Sequence, residues 1–316
     1  MNELTLQHVF QAAATVKGIV RRTELLESNR LGPLYLKPEL LQPTGSFKVR
    51  GATNKISSLS PQERARGVCT FSTGNHGLAV SYVANRFGVP ATVCMSDHVP
   101  QVKQDAIARA GGTIMLCGAG QDQAGERCKE LEKEEGLCLI PPFDDPAIIA
   151  GQGTIGFEIM EDLPDLDTLL IPLSGGGLLS GIALAAKNIS PSVRVIGISM
   201  ERGAAMYESL RAGHPVEVAE EATLADSLLG GIGLDNHYTF EMTRKYMDDV
   251  ILLSEEEIAA GIHYLMAEHH LVAEGAGAVG VAAVIAGKVS LRGKSATVIS
   301  GGNVGMDWIS KILNAG

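Results

Sequence analysis

Gln42-Pro43-Thr44-Gly45-Ser46-Phe47-Lys48-Val49-Arg50-Gly51-Ala52 is the stretch around which this 316-residue chain is organised. Pro43 restricts φ, and Gly45 permits a bend that other residues resist. Ser46 is a candidate cap, and residues 47–56 read as a helix. Lys48 then falls in a first turn, where the helix dipole and the free N–H groups disfavour positive charge. A lysine that is partly neutral is a nucleophile able to condense with an aldehyde. Spacing alone leaves the plainer alternative open, because a surface lysine on a first turn has the same pattern.

Three more stretches follow the same plan of apolar strand, small polar residues, then helix or turn. Ser174-Gly175-Gly176-Gly177-Leu178 has bare glycines at a helix start, which let backbone N–H groups approach an anion. It is no dinucleotide fingerprint, since Ser180 stands where the third glycine would be, and no Gly-Lys-Ser/Thr follows to make a P-loop. A phosphate cradle and a tight strand-to-helix turn both fit. Ser72-Thr73-Gly74-Asn75-His76-Gly77 offers amides and hydroxyls for a second anion. The plainer readings are Ser72 as an N-cap and His76 as a solvated first-turn histidine. Ser300-Gly301-Gly302-Asn303 ends the last apolar strand, where Ser300 could simply cap a turn.

Between these stretches the chain alternates short apolar strands with helices from Val68 onward. That alternation predicts an α/β fold of mainly parallel sheets covered on both faces. Asp145-Pro146 is an N-cap and first-turn pair, and Ser254-Glu255-Glu256-Glu257 is a capping box. Pro141–Pro146 marks a crossover. Two domains are expected: a small one over 67–145, and a larger one formed by 1–66 with 146–316.

Composition narrows the function classes. The net charge of −10 argues against nucleic-acid and anionic-membrane partners. Apolar runs such as 278–286 are too short to span a bilayer, and Met1-Asn2-Glu3 does not open a signal peptide. Cys69, Cys94, Cys117, Cys128 and Cys138 are odd in number with no Cys-x-x-Cys spacing. A reducing cytoplasm is expected for them and a zinc site is not, and Cys69, Cys94, Cys117 and Cys138, which fall in apolar stretches, are expected to be small buried hydrophobes. The three histidines His263, His269 and His270 lack a metal spacing.

The four motifs, in this order, resemble those of the pyridoxal-phosphate enzymes of fold type II, in particular the threonine dehydratase and serine racemase group. The resemblance covers nearly the whole chain and implies a tryptophan-synthase-β-like fold with the cofactor in a cleft between two open α/β domains. It implies that Lys48 carries pyridoxal 5'-phosphate as a Schiff base and that Phe47 packs on its ring. It implies that Ser174, Gly175, Gly176, Gly177 and Leu178 bind the phosphate and Asn75 the phenolic oxygen. Glu274, in Ala273-Glu274-Gly275-Ala276-Gly277, lies near the cofactor by the same resemblance, and Ser300 faces the pyridine nitrogen. A serine there makes the ring a weaker electron sink than an aspartate would, which favours β-elimination. Ser72, Thr73, Gly74, Asn75 and His76 would receive the substrate carboxylate.

The implied activity is an ammonia-lyase, or dehydratase, on a small β-hydroxy amino acid, in a homodimer. A serine or aspartate racemase and a non-catalytic cofactor-binding relative remain the alternatives. Thr73 stands where serine racemases carry a catalytic serine. Residues 199–205 lack the paired acids with which some relatives bind a cation, so no metal is expected. Val93-Cys94-Met95-Ser96, Met200–Met206 and Gly231–Asn236 resemble a narrower branch, the hydroxyectoine-utilization dehydratases.

Overall fold

The structure is a computed structural model that describes residues 3–72, 74–99, 101–118 and 121–314. Thr73 therefore lies outside the described residues. In chain order the elements are α1 (Leu6–Thr15), β1 (Leu26–Glu27), β2 (Leu34–Lys37), α2 (Lys48–Ser57), α3 (Pro61–Arg66), β3 (Val68–Phe71), α4 (Asn75–Phe87), β4 (Ala91–Met95), α5 (Gln101–Arg109), β5 (Thr113–Leu116), α6 (Gln121–Glu135) and β6 (Cys138–Leu139). There follow α7 (Pro146–Asp162), β7 (Thr168–Pro172), α8 (Gly177–Ile189), β8 (Arg194–Met200), α9 (Ala205–Ala212), α10 (Thr239–Tyr246), β9 (Asp249–Leu253), α11 (Glu255–His269), α12 (Gly275–Ile285), β10 (Ser295–Val298) and α13 (Met306–Asn314). Short 3-10 turns lie at Glu39–Leu41 and Asp226–Leu228.

The strands form two sheets. One has six strands in the order β1-β2-β10-β7-β8-β9, the other four in the order β5-β4-β3-β6. β1 pairs antiparallel with β2; the other strand pairs are parallel. Central β7 and β10 are buried at every position. That is what a strand covered by helices on both faces requires, and only the small polar Thr168, Ser295 and Thr297 interrupt their apolar runs.

In the six-stranded sheet, two apolar clusters lie on opposite sides. One joins the sheet to α11 and α12 through Ile258, Ile262, Val279 and Ala283. The other joins it to α7 and α8 through Ile155, Ile159, Leu179 and Ile182. Local signals place several helix starts as expected. Asp145 accepts from the Ala147 and Ile148 N–H groups with Pro146 next in line, and Ser254 closes its box with Glu257.

One local expectation fails. Ser46 does not cap α2: the cap position is Phe47, with no side-chain cap bond. Ser46 is instead drawn into an antiparallel bridge with Gly301, and its hydroxyl is buried without a partner. Pairing to a segment 255 residues away competes with the local cap and wins, because it satisfies backbone groups that would otherwise be buried unpaired.

Candidate active site

The first and last motifs are zipped together. Phe47 N–H donates to the Ser300 carbonyl at 3.0 Å, and Gly302 N–H donates to the Gly45 carbonyl at 3.0 Å. Gly45 has φ of +69°, and a Cβ there would collide with the Asn303 amide. Glycine is needed at that position for both reasons. Asn303 donates to the Thr44 carbonyl at 2.8 Å and to the Asn75 side-chain oxygen at 2.7 Å. Asn75 in turn donates to both oxygens of Glu274, at 2.9 and 3.1 Å. Glu274 N–H donates to the Gly301 carbonyl at 3.1 Å. Residues separated by most of the chain thus form one hydrogen-bonded patch around the start of α2.

Lys48 is the first residue of α2. Its amine donates to the Pro142 carbonyl at 2.8 Å and sits 5.3 Å from the centroid of the Phe47 ring. It forms no ion pair among the described residues. Burial lowers its pKa to about 8, against the opposing pull of the Glu274 charge. A useful fraction of this amine is therefore neutral near pH 7 to 8, as a nucleophile or base requires.

Two further titratable groups lie within electrostatic reach of Lys48. Glu274 is buried, and burial raises its carboxyl to about 7 although the Asn75 bond pulls the other way. His76 is only 2% exposed. Its Nε2 bonds the Ile140 carbonyl at 2.9 Å, so that nitrogen carries the proton, and Nδ1 is buried without a partner. Burial first, then the Lys48 charge, drop its pKa to about 3. His76 is a neutral core histidine rather than a solvated first-turn one. Gly74 is the cap position of α4, and Ser72 Oγ lies 3.4 Å from its N–H.

Ser174 to Gly177 join β7 to α8. Gly176 occupies the cap position with φ of +85°, and the first N–H groups of α8 have no intrahelical acceptor. A Cβ on Gly176 would lie 2.9 Å from Thr243 Oγ1, a buried hydroxyl without a partner. Gly175 and Gly177 are closely covered by Phe143. Leu178 is 7% exposed and belongs to the apolar cluster against which Phe47 packs. Ser300 is buried two residues past the end of β10.

Some contributors were not singled out in the sequence. Asn303 was quoted only as part of a motif, yet it bridges Thr44 and Asn75. Asp144 accepts from the N–H groups of His237, Tyr238 and Thr239 at 2.6, 2.9 and 2.8 Å. It thereby anchors the crossover, with Pro142 and Phe143, to the start of α10. The consecutive acids Asp144 and Asp145 before Pro146 were the available signal: one caps α7 and the other is left for α10.

Comparison with known proteins agrees with this arrangement. Residues 16–301 match the family described as pyridoxal-phosphate dependent enzyme. The L-threonine ammonia-lyase of Thermotoga maritima is 44% identical over 99% of this chain and 79% of its own length. Maize serine racemase superposes with a TM-score of 0.92 at 31% identity, covering 99% of this chain and 98% of that one. The processed threonine deaminase isoform 2 of Solanum lycopersicum gives 0.90 at 34% identity, covering 98% and 92%.

The residues fit the family's cofactor. A phosphate needs open N–H groups and a free hydroxyl, and the start of α8 with Thr243 supplies both. An aldehyde needs a nearby amine that can be neutral, and Lys48 supplies it. With zipped motifs, a perturbed lysine and a glycine cradle joined to family matches along the chain, this protein belongs to the pyridoxal-phosphate dependent enzymes.

Proposed function

We propose that the chain is an ammonia-lyase that dehydrates a small β-hydroxy amino acid to a 2-oxo acid and ammonia. The observation that carries this reading is Lys48. Its amine heads α2, is bonded among the described residues only to the Pro142 carbonyl, and has a pKa lowered to about 8. When bound, pyridoxal phosphate supplies the aldehyde that links to amines and the ring that withdraws electrons from Cα.

Lys48 would anchor the cofactor and, once displaced by the substrate amine, take the Cα proton. Ser174 to Gly177 with the start of α8 would hold the phosphate. Phe47, Asn75, Glu274 and Ser300 would surround the ring. Ser72, Gly74, Asn75 and His76 would receive the substrate carboxylate at the start of α4, with His76 contributing its backbone because its ring is turned into the core. Ser300, as a neutral hydroxyl, would bring no negative charge to the pyridine nitrogen, which suits loss of the β-hydroxyl together with removal of the Cα proton. The released enamine hydrolyses to the 2-oxo acid and ammonia.

Residues 67–145 act in this reading as a small domain, and 1–66 with 146–316 as the larger one. The narrower resemblance to hydroxyectoine-utilization dehydratases makes hydroxyectoine-derived amino acids candidate substrates beside threonine, serine and 3-hydroxyaspartate. A homodimer in a reducing cytoplasm is the setting proposed.

The test is ammonia and 2-oxo acid release measured across those four substrates with the purified, cofactor-loaded protein. Stoichiometric release from at least one supports the lyase. Cofactor binding with no release from any would leave a non-catalytic relative. The high overlap with maize serine racemase favours a racemase as the second reading. D-amino acid appearing faster than ammonia in the same time course would put that reading first.

A further inference from the structure

Two helix starts converge on Gly176. α8 begins at Gly177, and α10 begins at Thr239. A Cβ on Gly176 would lie 3.0 Å from Thr239 Cβ and 2.9 Å from Thr243 Oγ1. Thr239 and Thr243 are four residues apart, so they share the face of α10 that meets the glycine cradle. Both are fully buried. The Thr239 hydroxyl accepts from the Asn236 amide at 2.8 Å, whereas the Thr243 hydroxyl has no partner among the described residues. A buried hydroxyl left in that state is costly unless a ligand completes it.

The start of α10 is satisfied by groups outside the helix. Tyr238 holds the cap position and brings no side-chain cap of its own. Asn236 Oδ1 accepts from Phe240 N–H at 2.9 Å. The Asp144 carboxylate takes the neighbouring amides. Its Oδ1 accepts from Tyr238 and Thr239 at 2.9 and 2.8 Å, and its Oδ2 accepts from His237 at 2.6 Å. Asp144 lies 93 to 95 residues from these amides in the chain, so the bonds join two distant segments rather than closing a local turn. They are charge-assisted, and a carboxylate suits the positive end of a helix. Phe143, the preceding residue, lies against Gly175 and Gly177. Adjacent residues of the crossover thus grip the cradle and the helix that closes over it.

We propose that Asp144 is a positioning residue for the cofactor phosphate: by docking α10 on the cradle it sets the Thr243 hydroxyl where the phosphate binds. Thr243 donates its hydroxyl hydrogen to a phosphate oxygen, beside the free amides at the start of α8. Asp144 does not touch the phosphate and acts through Thr243. The inference rests on the family's cofactor and not on the choice between lyase and racemase.

The experiment titrates the whole chain, freed of cofactor, with pyridoxal phosphate and separately with pyridoxal, which has the same ring and aldehyde but no phosphate. Asp144→Ala should weaken pyridoxal phosphate by about tenfold and pyridoxal by less than about twofold, as expected for one lost hydrogen bond to a charged group. Thr243→Val, which keeps the side-chain shape, should show the same selective loss. The double variant should stay within about twofold of Thr243→Val alone, because the second substitution acts through the first. Asp144→Asn keeps a carbonyl oxygen for Tyr238 and Thr239 but turns an N–H2 group on the His237 N–H, so it should fall between the parent and Asp144→Ala. Borohydride trapping of pyridoxal, matched to that of the parent, shows that each variant still assembles the site. Should Asp144→Ala fail to trap, Asp144→Asn carries the same comparison. Equal losses for the two ligands, additive losses in the double variant, or undiminished affinity in Thr243→Val would overturn the proposal.

Discussion

Lys48 and Arg50 stand two residues apart on α2, Arg50 fully buried and Lys48 partly so, and the protein treats them in opposite ways. Two residues along a helix is a turn of about 200°, so they face opposite directions. Arg50 points into a closed network. Its Nε and Nη2 donate to Glu39 at 2.7 and 2.8 Å, and its Nη1 and Nη2 donate to Glu158 at 2.7 and 2.9 Å. Lys37 pairs with Glu158 at 2.7 Å, balancing two cations against two carboxylates. Burial alone would lower the Arg50 pKa and raise that of Glu158; Glu39 first and then Glu158 reverse the former, and Arg50 and then Lys37 reverse the latter. Lys48 has only a carbonyl to bond, and burial wins. A paired buried charge stays charged and holds helices in place, whereas an unpaired one shifts towards neutrality and becomes available for chemistry.

The largest expected effect comes from removing the unpaired partner of this comparison. Lys48→Ala should lower ammonia release by at least about a thousandfold, equivalent to roughly 4 kcal/mol of barrier. Stability of the cofactor-free protein should not fall, since no ion pair is lost. Borohydride reduction of the parent should trap the cofactor on the Lys48 peptide, and trapping on a different lysine would break the comparison.

Arg50→Met should behave inversely. It leaves two carboxylates buried with Lys37 alone, and should cost about 3–5 kcal/mol in urea unfolding. Neutralising Glu39 as well, by Glu39→Gln, should restore part of that loss. An Arg50→Met protein as stable as the parent would show that the network does not hold α2.

His76 and Glu274 sharpen the contrast through pH. The His76 pKa is depressed from 6.5 to about 3. Its contribution to stability is complete above pH 6.5 and is lost at up to about 1.4 kcal/mol per pH unit as pH falls towards 3. His76→Gln should flatten that slope in unfolding measured across this window. Glu274 runs the other way, being raised from 4.5 to about 7. Its stabilising share is complete below pH 4.5 and disappears as pH climbs through 7, over a narrower span. Glu274→Gln should remove that decline, and a parallel loss of stability at all pH values would contradict the assignment.

The smallest effect is expected at the ring-nitrogen position. Ser300→Asp should slow elimination by about tenfold, as a charge placed against the site changes what it stabilises. The visible absorbance of the bound cofactor should change with it. A variant matching the parent in both rate and spectrum would place Ser300 away from the ring.

Much of the architecture was legible without coordinates. Apolar strands alternating with helices, the Asp145-Pro146 start and the Ser254–Glu257 box all rest on interactions within a few residues, and the structure keeps them. The antiparallel β1, only two residues long, carries too little pattern to be seen. Ser46 misled for a related reason: its local capping chemistry is sound, but Gly301 competes for it from the other end of the chain. His76 has the spacing of a solvated first-turn residue, and only the Ile140 carbonyl beside it turns the ring inward.

What the sequence by itself determined is therefore the short-range part: where strands yield to helices, where glycines turn a strand into a helix, and that Lys48 falls in the first turn of a helix. Whether a given charge is paired was decided by the tertiary structure alone. Arg50 finds Glu39 and Glu158, 11 and 108 residues away, while among the described residues no carboxylate forms an ion pair with Lys48. Local signals act over a turn or two of backbone. Desolvation and Coulomb interactions depend on distance through space, and only the folded chain sets that distance.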